Sequence, residues 1–95
     1  MAVDGLKAEL EKIISGLTSS GFDSIDPGTI EKLDVLAITA DRFGMNTGKQ
    51  LIENLSSVLK AIKEGAAKAE SGTVRLTALD FYVQKLTGDG RTEEL

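Results

Sequence analysis

The run from Leu51 to Ile62 carries Leu51, Ile52, Leu55, Val58, Leu59 and Ile62 at intervals of one and three. In an α-helix that spacing gathers all six on one side. In a strand it would scatter them over both faces and leave half of them wet. The same three-and-four spacing recurs on either side of this run, punctuated by glycine and proline. A chain patterned in this way buries its apolar stripes by packing helix against helix.

Four such segments are legible. The first runs from Val3 to about Thr18, with Val3, Leu6, Leu10, Ile13, Ile14 and Leu17 as its stripe. The second runs from Pro27 to Phe43. Asp26 is suited to cap it, and Pro27 fits the first helical position, where no amide donor is needed. Ile30, Leu33, Leu36, Ala37, Ala40 and Phe43 form its main stripe, with Val35 and Ile38 on roughly the opposite side. The third spans about Gly48 to Glu64, with Ser56, Ser57, Lys60 and Lys63 expected toward solvent. The fourth spans Thr73 to Leu86 through Leu76, Leu79, Val83 and Leu86, with Phe81 pointing elsewhere. The prediction is an all-α fold, a small four-helix antiparallel bundle with short loops. One domain covers residues 1–87, and residues 88–95 form a polar, frayed tail.

Composition narrows the chemistry. A chain of 95 residues has no Cys and no His, which removes disulfides, thiolate nucleophiles, imidazole bases and most transition-metal sites. The carboxylate pairs Glu93–Glu94 and Asp23/Asp26 fall in loop or tail, where solvated charge is the ordinary outcome. We therefore expect no enzyme, no cofactor and no metal. Net charge is −4, spread along the chain, which disfavours nucleic acid and anionic membranes as partners. No apolar run approaches the roughly 20 residues that span a bilayer, and the charged N-terminus lacks a signal-peptide layout. A cytoplasmic protein is expected.

Two stretches invite sharper readings. Arg42 to Leu55, "RFGMNTGKQLIENL", holds Gly44, Gly48 and Lys49 with one residue too few for a phosphate loop, and Gln50 stands where that motif needs a hydroxyl. Ala40, Gly44 and Met45 match the turn of a helix-turn-helix, but the next apolar residue, Leu51, comes one position late, a rotation of about 100°. The simpler reading is a helix end at Gly44 followed by a capping box of Thr47 and Gln50. In the second stretch, Asp23-Ser24-Ile25 resembles the Asp-Ser-Leu signature of acyl and peptidyl carrier proteins, and "TVRLTALDFYV" is faintly similar to a carrier's last helix. The resemblance implies a phosphopantetheine arm on Ser24. Against it, Pro27-Gly28 falls where a carrier's helix is already under way.

Val35, Ile38 and Phe81 are left without a place in a self-contained bundle. Burial of such a side chain is worth about 1.5–3 kcal/mol, so three of them would form a useful contact core. The expected function is a small acidic interaction module, self-associating as a homodimer, with Val35, Ile38 and Phe81 as its interface. A carrier with an arm on Ser24 and a helix-turn-helix DNA-binding protein are the alternatives.

Overall fold

The computed structural model describes residues 3–86. The tail predicted at 88–95 lies outside them. Four helices follow one another: α1 (Val3–Ser20), α2 (Pro27–Arg42), α3 (Asn46–Lys63) and α4 (Ala69–Lys85). They pack together as a small all-α bundle.

Pairing is antiparallel throughout. Asp41 meets Lys49 at 3.6 Å beside the α2–α3 turn, and Asp34 meets Ser56 at 2.6 Å further in. Stepping back along α2 thus steps forward along α3. On the other flank, a side chain at Gly48 would meet Tyr82, and one at Gly72 would meet Ile62, so α3 and α4 also run in opposite senses. Lys7 Nζ donates to the Leu86 carbonyl at 3.3 Å, joining the start of α1 to the end of α4. Helix α3 packs along α2 and α4, and α1 packs along those same two helices from the other side, its backbone away from that of α3.

The core is aliphatic. Leu6, Leu10, Leu33, Ile52, Leu55, Leu59 and Leu79 are wholly buried, as their spacing predicts. Phe43 departs from its predicted stripe and is partly exposed beyond the last turn of α2. The turn after α2 explains why. Gly44 takes φ +73°, its amide donates to the Asp41 carbonyl at 3.0 Å, and the Met45 amide donates to the Ala40 carbonyl at 2.9 Å. This two-bond ending swings Met45 over Ala40 into the core and leaves Phe43 outside.

Three local expectations are corrected. Helix α3 begins at Asn46, its cap residue is Met45, and no side chain caps it, so the predicted Thr47–Gln50 box does not form. Helix α4 starts at Ala69, four residues before the predicted Thr73, because the small-residue stretch after Gly65 is short and Lys68 enters the helix in extended backbone. Ser56 is buried rather than solvated.

Ser56 is the buried polar side chain of the described core, and its hydroxyl donates to Asp34 Oδ1 at 2.6 Å. Asp34 Oδ2 lies 3.4 Å from Lys60 Nζ, so one carboxylate ties two successive turns of α3 to α2. A buried hydroxyl deprived of its acceptor costs about 1–3 kcal/mol. Asp34→Ala should therefore destabilise by about 1 kcal/mol or more, whereas adding Ser56→Ala to it should recover most of the loss. Denaturant midpoints of the two single variants and the double variant check this. Additive losses would show that the pair is not coupled.

Candidate functional site

Helices α2 and α4 each have a second apolar side. On α2 the core-facing residues are Ile30, Leu33, Leu36, Ala37 and Ala40. Val35 and Ile38 fall on the other side of the 3.6-residue repeat and are 58% and 57% exposed. On α4 the buried residues are Gly72, Leu76, Leu79, Tyr82 and Val83. Opposite them lie Val74 and Phe81, two turns apart and 65% and 52% exposed, with exposed Ala78 between them.

These two faces are not one surface. The backbones of α2 and α4 do not come close to one another, and α1 and α3 each pack along both. Both apolar faces point away from the core, so they look out from opposite sides of the bundle. The structure brings Val35 and Ile38 together but sets Phe81 apart from them. Val74 belongs beside Phe81 and was missed in the sequence. The signal was its seven-residue spacing from Phe81, which already lay within the predicted Thr73–Leu86 segment.

The electrostatics differ between the faces. Lys85 Nζ sits 5.8 Å from the centre of the Phe81 ring, a cation over an aromatic face. On α2, Glu31 precedes the apolar pair and Arg42 follows it. Both are exposed, and neither forms an ion pair among the described residues. Elsewhere on the surface, Lys32 Nζ lies 2.9 Å from Glu9 Oε2 and links α1 to α2. The Lys32 ammonium beside it, with a smaller contribution from Lys12, holds the Glu9 carboxyl below its usual range. That stabilisation is present above the ordinary carboxylate pKa and is lost as pH falls through the lowered one.

Tyr82 is also displaced in its titration. Burial raises its phenol above the ordinary value of 10.0, and the Gly48 amide beside it acts in the opposite direction. That amide belongs to the first turn of α3, where helical N–H groups have no partner within the helix. Because the folded pKa is the higher one, the neutral phenol favours folding. This contribution is complete below pH 10.0 and disappears as pH rises through the raised value. Tyr82 is the single tyrosine of a chain without tryptophan, so phenolate absorbance reports it alone. Its titration midpoint should be higher in the native protein than in denaturant; equal midpoints would contradict the burial.

The motif-bearing stretches resolve into structural parts. Ser24 is exposed in the α1–α2 loop, and the helix after it starts only at Pro27 with Asp26 as its cap. The Asp26 carboxylate accepts from the Gly28 amide at 2.9 Å. Phe43, Gly44 and Met45 form a tight turn joining two antiparallel helices, and Gly48 lies in the first turn of α3. Among the described residues no three acidic groups come close enough to hold a metal ion, and no helix is long and apolar enough to cross a membrane. In comparisons with protein families, curated proteins and solved structures, the chain matches none of them.

Proposed function

We propose that this chain is a small helical interaction module that associates with a second copy of itself through an outward apolar helix face. The supporting observation is the exposure of Val35, Ile38, Val74 and Phe81, each more than half open to solvent on helices whose other sides already fill the core. A single exposed aliphatic needs no explanation, but paired ones at helical spacing on an otherwise charged surface mark a contact. Each such side chain, once covered, adds about 1.5–3 kcal/mol. The acidic balance of −4 speaks against nucleic acid and anionic membranes as the partner, and a cytoplasmic homodimer is the setting we propose.

Sedimentation velocity tests the reading. A one-helix face makes a small interface, with a Kd on the order of 10–100 μM, so the wild type should sediment as a dimer at a few hundred micromolar. The paired substitution Val35→Asp/Phe81→Asp should leave a folded monomer, with helical content unchanged, because both sites lie outside the core. A monomeric wild type at those concentrations would remove the proposal.

A further inference from the structure

The outward face of α2 has an internal symmetry. Reading along the helix, Glu31, Val35, Ile38 and Arg42 share one side, and each is exposed. Val35 and Ile38 are equidistant from a point between Leu36 and Ala37, and so are Glu31 and Arg42. A two-fold axis through that point, perpendicular to the helix, carries the layout onto itself with the charges exchanged. If a second copy is laid antiparallel against this face, Val35 of each copy comes opposite Ile38 of the other. At both ends an acid then meets a base, with the ends roughly 16 Å apart along the helix.

Resting on the self-association just proposed, we infer that α2 pairs antiparallel with α2 of a second copy about this axis, Glu31 of each copy facing Arg42 of the other. A two-fold interface must be self-complementary, and this face is. Its charges are also available, since neither Glu31 nor Arg42 is ion-paired among the described residues. Thr39, at the edge of the face, already donates its hydroxyl to the Val35 carbonyl at 3.1 Å and brings no unsatisfied donor into the contact. On α4, by contrast, Phe81 already holds Lys85 Nζ 5.8 Å from its ring centre within the same helix. Since α2 and α4 look out from opposite sides, pairing through α2 alone closes a dimer, whereas using both faces would propagate a chain of molecules.

A charge-exchange series tests the arrangement. Glu31→Arg places two arginines opposite each other at both ends, and Arg42→Glu places two glutamates there. Each should weaken association roughly tenfold or more at low salt. Mixed in equal amounts, the two variants should form a heterodimer, because each then supplies the charge the other lacks. The double exchange Glu31→Arg/Arg42→Glu should restore the wild-type Kd. Circular dichroism keeps folding under control, as both side chains are exposed. A wild type that stays monomeric overturns both this arrangement and the broader self-association. A wild-type dimer insensitive to these exchanges, or abolished by Phe81→Asp but not by Val35→Asp, overturns the α2 pairing while leaving self-association standing.

Discussion

Leu55→Ala should destabilise the protein by about 2–5 kcal/mol, the range for removing a fully buried leucine from a packed core. Leu55 stands on α3, the helix that packs along both α2 and α4. Space left there is bordered by two partners held against α3, one by the Asp34–Ser56 hydrogen bond and the other by Tyr82 packed closely against Gly48. Neither can easily collapse inward. For a domain of this size the total stability is of the order of 5–10 kcal/mol, so the variant should lose much of it. Thermal unfolding followed by circular dichroism should show a melting point lower by some 4–8 °C for each kcal/mol lost. A loss below about 1 kcal/mol would mean that α3 does not occupy the centre of the packing.

The second large effect is expected at Gly48. An added Cβ there would stand 2.9 Å from the Tyr82 hydroxyl oxygen and 3.0 Å from its Cε2, closer than ordinary packing allows. The ring cannot swing away freely, since Tyr82 is buried between α3 and α4. Overpacking of this kind costs about 1–3 kcal/mol. Alanine also recovers about 1 kcal/mol of helix propensity. Gly48→Ala should therefore be mildly destabilising, by about 1 kcal/mol, and Gly48→Val, which adds bulk without that propensity gain, by about 3 kcal/mol. Tyr82→Phe removes the closest contact, so Gly48→Ala should cost less in that background. Urea midpoints for the four members of the cycle give the coupling. A Gly48→Val variant as stable as wild type would show that α3 and α4 do not approach so closely.

Both predictions depend on contacts across helices, and here the reach of the sequence ends. The α2–α3 corner was legible because its causes are local. Gly44 supplies a left-handed residue, and the apolar Met45 follows at the position that folds back onto Ala40. Core leucines were legible because a 3.6-residue repeat needs no knowledge of the partner. Ser56 was misread as solvated because its acceptor, Asp34, sits on a different helix, and nothing in its own segment reveals that. Gly48 looked like the start of a helix, yet its lack of a side chain serves a tyrosine on α4. The cap expected from Thr47 is absent, since α3 begins earlier and a first-turn amide lies against that same tyrosine.

Helical periodicity also identified Val35, Ile38 and Phe81 as surplus to a simple core, and all three are exposed. It could not show that they face opposite ways. A stripe on a helix states an angle about its own axis; the direction of that axis in space is settled by neighbours. By itself, then, the order of residues determined four helices, their turns and most of what is buried, because those follow from local geometry and the removal of apolar surface from water. Tertiary structure alone decided that α1 and α3 separate α2 from α4, and hence that the leftover apolar residues form two faces rather than one. The physical reason is that packing fixes the rotation and placement of whole helices through contacts between residues far apart in the chain.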